Sequence, residues 1–523
     1  MLYTACVGQP SLTKRQLHDV LVIGSQLGGL VAAALLAKRG HRVRVIDHDG
    51  QRDGYPDQGY TLPYAPALLP PLKGLPAAEA AFGELGMLTD LGRALTPHEP
   101  ALQILAPGHR FDLPHDAALR ARELAREFAD PKGAEAAWAA LQAAPELADA
   151  FFKDAAPFPA LGFFEQWRSR RRAQADASLQ QALAMPPPEG HPIAAVARGL
   201  AGFVTHLDAG ASSGLALSRA LGLWLRGPQR EVPGHLGVRG LLHKRIRELG
   251  SEVQGLDRPA VVDELQIRGS RVTGVKLQGD DGLHVGRAVI SGTDAQALRR
   301  LVPPQARKKH LAEQLDAVRL QRFLLAVNLV VPARDLPQGL AALGVLIPRD
   351  EALGLLVYEV LPAVRGAPAP PASGSARPIS AKTGRADAGT ANPDDERVIC
   401  VAALVRAPTR DLGDEPLEQL AAQVCTAMLE VLPFVRPKVV SVPLLTKGAN
   451  RGSRLSPHPL FEIDEPAVLG VTGLSLRTPL HNLFLASREV LPGLGVEGEL
   501  LTGLRVAERV QRVLHKKDPL AAA

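Results

Sequence analysis

Gly24, Gly28 and Gly29 stand between a short apolar run, DVLVI, and an Ala- and Leu-rich one, LVAAALLAKRG. A strand that ends in glycine and turns tightly into a helix leaves backbone N–H groups, and the positive end of the helix dipole, facing an anion. That arrangement suits the pyrophosphate of a dinucleotide. Gly24 permits the tight turn and Gly29 permits close packing between helix and strand. Asp47 ends the next strand, where a carboxylate can accept hydrogen bonds from ribose hydroxyls. Gln26 replaces the glycine of that fingerprint at which the pyrophosphate approaches the backbone.

These residues need a βαβ unit to hold them, and residues 19 to 47 read as one. Leu30, Ala33, Ala34 and Ala37 fall on one helical face, Gly40 sits at the C-cap position, and Val43 and Val45 alternate with Arg42 and Arg44 at period two. From about 75 to 230 the chain reads as a mainly helical layer broken by Pro clusters. An amphipathic helix is predicted over 238–249 and strands over 271–277 and 284–291. Further strand-like runs occupy 321–360, and 416–431 reads as a helix. Residues 365–396 are rich in Pro, Ala, Gly and Ser and too poor in core formers to offset their ordering entropy, so a disordered insertion is expected there.

The last glycine cluster lies in NLFLASREVLPGLGVEGELLTGLRVAERV, residues 482–510. Together with the first turn it resembles the phytoene desaturase and carotenoid isomerase family of FAD-dependent oxidoreductases, relatives of the flavin amine oxidases. Pro492, Gly493, Gly495, Val496, Thr502 and Gly503 match the family's Pro-Gly-x-Gly-Val turn and the Ser/Thr-Gly pair that follows it. Residues 261–277 resemble the strand whose backbone, here at Val262, reads the adenine edge. Residues 287–302 resemble the strand returning to the cofactor, with Ser291 and Gly292 at its end.

The resemblance implies FAD as cofactor. It implies contacts to FAD from Gly24, Ser25, Gln26, Gly28, Gly29, Asp47, His48 and Arg52 at the N-terminal end, and from Pro492, Gly493, Gly495, Val496 and Gly498 at the other. The implied fold is α/β: a Rossmann-like FAD-binding domain of the glutathione-reductase type, drawn from 18–100, 232–303 and 465–515, with a second α+β substrate domain from 101–231 and 304–464. The implied reaction is desaturation, isomerisation or a related redox step on an apolar polyene or isoprenoid by hydride exchange with flavin N5. No catalytic acid or base is identified.

Three positions depart from the family pattern: Gln26, the HDGQRDG turn at 48–54, where Gly50 and Arg52 are imperfect substitutes, and Ala486-Ser487 in place of a Gly-Asp pair. They motivate a rival reading, a cofactor-free scaffold or binding protein of the same fold. GASSG at 210–214 has the form of a hydrolase elbow around Ser212, but the residues before it read as helix rather than the strand an elbow requires. His206, His235 and His243 lack metal-ligand spacing.

Composition narrows the partners. The chain has 523 residues, of which 46% are hydrophobic and 22% charged, enough to build more than one core. A net charge of +6 over that length is too dilute for a nucleic-acid footprint. Cys6, Cys400 and Cys425 form no framework, which fits a reducing compartment, and no signal-like or membrane-spanning run is present, so a cytoplasmic location is expected. In FFKDAAPFPALGFFEQWRSRRR, residues 151–172, aromatics precede four arginines, a composition suited either to peripheral contact with an anionic bilayer or to a helix core with a solvated basic end.

Overall fold

The computed structural model describes residues 15–48, 54–139, 159–160, 163–175, 192–208, 214–233, 235–255, 260–280, 282–307, 309–365, 395–408, 414–443, 458–463 and 471–515. Its first sheet has seven strands. The first strand, Arg15–Ile23, lies at its centre, parallel to Val43–Ile46 on one side and to Leu283–Ser291 on the other. Glu252–Gln254 extends the sheet beyond Val43–Ile46, and Leu483–Leu485 pairs with Val289–Ser291. The antiparallel strands Val262–Arg268 and Arg271–Leu277 complete the edge beside Leu283 and His284.

The first helix, Leu27–Lys38, is buried from Leu27 to Ala37, not along one face only. The C-terminal helix, Gly495–His515, packs directly on it, as does the helix Val238–Glu248. Alanine at Ala32, Ala33, Ala34 and Ala37 leaves room for neighbours on every side. The strand Val43–Ile46 likewise departs from the expected alternation, since all four residues are buried. An inner parallel strand is covered on both faces, so Arg44 lies inside as well and reaches out to Gln254 and Glu252.

A second sheet has eight strands. The fifteen-residue strand Val318–Pro332 pairs antiparallel with Glu396–Arg406, which pairs with Leu356–Pro362. Leu343–Leu346 follows, and then Leu102–Ala106 and His109–Leu113 as a hairpin at the edge. That hairpin corrects the expectation of a mainly helical layer over 75–230. Its turn is Pro107 and Gly108, with Gly108 in the left-handed region, a short-range hairpin signal inside an otherwise helical stretch.

Helix Asp414–Val431 packs on this sheet. The insertion expected over 365–396 is bounded by placed residues: Val364–Arg365 pairs with Tyr60 and Thr61, and Arg365 meets Glu396 at 3.0 Å. Residues 366–394 lie outside the described residues, as do Ser212, Phe151, Phe152 and Phe158. Among the described residues no helix is long and apolar enough to cross a membrane.

Candidate functional site

The two glycine clusters meet at the carboxyl end of the first strand. Gly24 turns the chain at φ +86° and its N–H donates to Ile46 O at 2.8 Å. A Cβ on Gly29 would stand 2.9 Å from Gly292 Cα, and one on Gly503 would stand 2.7 Å from Gly28 O. Strand, helix and C-terminal helix therefore approach one another closely at these glycines. Gly29→Ala is expected to cost about 1–3 kcal/mol by overpacking, read as a lowered denaturant midpoint at unchanged slope. An unchanged midpoint would show that this contact gives way freely.

Two amide groups at the start of the first helix have acceptors within the chain. Gln26 N–H donates to Gly292 O at 3.1 Å, and Leu27 N–H donates to Oε2 of Glu499 at 3.1 Å. Glu499 is buried, with 7% of its surface exposed. Burial pushes its carboxyl pKa up, but the opposing influences of His206, Arg488 and Arg239 prevail and bring it down to about 2. It is therefore an anion, and it sits against the positive end of a helix, where an anion is stabilised. His206 Nε2 lies 3.6 Å from its other oxygen, and the His206 and His458 ring centroids are 4.8 Å apart with the rings tilted by 43°.

Gln26 is fully buried and its amide is used at both ends, Nε2 donating to Asp294 Oδ1 and Oε1 accepting from Arg488 N–H at 3.0 Å. Ser25 Oγ donates to Asp47 Oδ1 at 2.5 Å, and Asp47 has no exposed surface. Val262 N–H donates to Nδ1 of His48 at 3.0 Å. Burial, with Arg300 nearby, lowers the His48 pKa to about 4, so the ring is neutral and able to accept. Ser291 and Gly292 lie at the strand end as expected, Ser291 O accepting from Ala486 N–H at 2.7 Å. Arg52 falls outside the described residues.

The Pro492–Leu494 turn and Gly495 are packed from within the chain. Gly495 has φ +52°, and a Cβ there would stand 2.0 Å from Val204 O. His206 N–H donates to Pro492 O at 2.8 Å, and Gly493 N–H to Val471 O at 3.2 Å. Gly498 lies against Leu491, whose carbonyl oxygen would be 2.2 Å from an added Cβ. Val496 lines a small depression with Leu68, Pro70, Val204, Leu223 and Trp224.

A dinucleotide would need the helix N-terminus for its pyrophosphate, the Val262 amide for its adenine edge, and open space over the Gly495 turn for its ring. Glu499, His48 and the 204–206 backbone hold those three places. The residues present do not fit FAD in this arrangement, because a phosphate would meet a fixed carboxylate. Glu499 and His206 were not singled out from sequence as partners. The signal was Glu497 and Glu499 within the otherwise apolar GVEGELLTGL, two carboxylates that a buried helix must pair.

Residues 22–85 match the NAD(P)-binding Rossmann-like domain family. Comparison with curated protein sequences finds no match. Among solved structures the chain is similar to an oxidoreductase from Methanosarcina mazei, at 16% identity and TM-score 0.56, covering 94% of this chain and 99% of that one. It is also similar to cyclohexylamine oxidase from Brevibacterium oxydans, at 17% identity and TM-score 0.54, covering 95% and 99%. A putrescine oxidase aligns at 16% identity and TM-score 0.53, covering 95% and 100%. The chain thus has the mixed α/β fold of these oxidoreductases, and residues 22–85 of it match a Rossmann-like domain.

Proposed function

We propose that this chain keeps the oxidoreductase fold as a cofactor-free binding or scaffold protein. The observation that carries the reading is the Glu499 carboxylate on Leu27 N–H, at the helix end where a pyrophosphate would bind. The closed contacts at His48 and Gly495 support it independently. Purified protein is expected to be colourless, to release no flavin on denaturation, and to take up none when incubated with FAD. Stoichiometric FAD after either treatment would overturn the reading.

A second reading is favoured by the glycine contacts at Gly29 and Gly503, which are the close approaches a dinucleotide-binding turn requires. In it the chain binds FAD after Glu499 leaves the helix end, and acts as an oxidoreductase on an apolar polyene or isoprenoid. The flavin would accept or return hydride, while the chain would exclude water and orient the substrate. The names of the two oxidases suggest an amine instead, for which this chain offers few aromatics, with five tyrosines and three tryptophans. Flavin in the purified protein would promote this second reading, and substrate turnover by the coloured form would then separate polyene from amine.

A further inference from the structure

Helix Phe163–Ala175 is seated on the C-terminal helix by Glu165, whose carboxylate meets Arg505 at 3.0 Å, and Ser169 on the same side is buried. Its other side carries Phe164, Trp167, Arg168 and Arg171, spaced i, i+3, i+4 and i+7 and so on one face. Phe164 is 79% exposed and Trp167 51% exposed, and the Arg171 guanidinium lies 5.2 Å from the Trp167 ring centroid. Arg170 is exposed beside them. On the adjoining helix the carboxylate of Glu508 is engaged by Arg505 and Arg512, so it does not neutralise this face.

We propose that this face is a docking surface for an anionic lipid bilayer. The two aromatic side chains enter the interfacial region and the arginines meet lipid phosphates and carboxylates, the arrangement by which an interfacial helix lies in the plane of a membrane. Charge complementarity selects this occupant. A second copy of the chain would set arginine against arginine. A single-stranded nucleic acid is held by a groove that tracks its backbone, whereas this is the convex side of one helix. The proposal is independent of whether a dinucleotide binds.

The test is co-sedimentation of the full chain with vesicles of phosphatidylcholine alone and of phosphatidylcholine with phosphatidylserine. Binding is expected only to the anionic vesicles and should be released by high salt. Joint replacement Arg168→Gln, Arg170→Gln and Arg171→Gln should weaken it on the order of a hundredfold. Phe164→Ser with Trp167→Ser should also weaken it, while Phe434→Ser, at an 87% exposed residue outside this helix, should not. The arginine variant touches only exposed side chains, so it reads the surface even if the aromatic variant fails to fold. Equal binding to both vesicle types, binding indifferent to the arginine variant, no binding, or displacement from vesicles by a single-stranded oligonucleotide would each overturn the proposal.

Discussion

Glu497→Ala is expected to destabilise the protein by about 3–5 kcal/mol. Glu497 and Arg219 form a two-pronged ion pair, Nε to Oε2 at 2.6 Å and Nη2 to Oε1 at 2.5 Å, with Arg219 fully buried and Glu497 2% exposed. The pair ties helix Gly214–Leu225 to the first turn of the C-terminal helix, beside the Pro492–Leu494 turn. Removing the carboxylate takes its two-pronged partner from a fully buried guanidinium, and the weakened compensation of that charge is the source of the loss. Replacing both, Arg219→Met with Glu497→Leu, should recover most of it, since two apolar groups carry no desolvation penalty. Urea unfolding of the wild type and the two variants decides the point. A loss below 1 kcal/mol in Glu497→Ala would mean that water reaches the pair.

The same pair shows what the sequence made legible and what it did not. The Rossmann-like core could be read because its signals are local: five residues of DVLVI, a glycine turn, and an alanine-rich helix with Gly40 closing it in the left-handed region. Strands at 271–277 and 284–291 followed from short apolar patterns, and the helix at Val238–Glu248 from its amphipathic spacing. The pairing of Glu497 with Arg219 spans 278 residues, and that of Glu499 with Leu27 spans 472. No local rule connects such positions. Gln26 was visible as an irregular residue, but a glutamine can leave a phosphate loop open or fill it. Only its two partners, Asp294 and Arg488, show that it fills the turn.

The same limit applies to polar residues buried in the second sheet, and there it carries the largest expected pH effect. Glu359 stands in register between Leu343 and Cys400, deep in a sheet of apolar strands, and has no exposed surface. One of its oxygens accepts from Ala67 N–H at 2.6 Å, while the other lies 3.8 Å from His98 Nε2. Burial drives the Glu359 carboxyl up to about 7, partly offset by the Ala67 amide, and burial drives the His98 imidazole down to about 4. Between those values the two are uncharged neighbours rather than an ion pair. An unfolded glutamate titrates near 4.5, so the folded chain holds this proton more tightly than the unfolded one. The stability it contributes is fully present below pH 4.5 and is lost as the pH rises to 7, on the order of 3 kcal/mol. Glu359→Gln keeps an acceptor for Ala67 and cannot ionise, so the variant should match the wild type near pH 4 and exceed it by that amount near pH 8. Other titrating groups are common to both proteins and cancel in the difference. Parallel stability curves for the two from pH 4 to 8 would show that Glu359 titrates in the fold as it does in the unfolded chain, and would overturn the raised value.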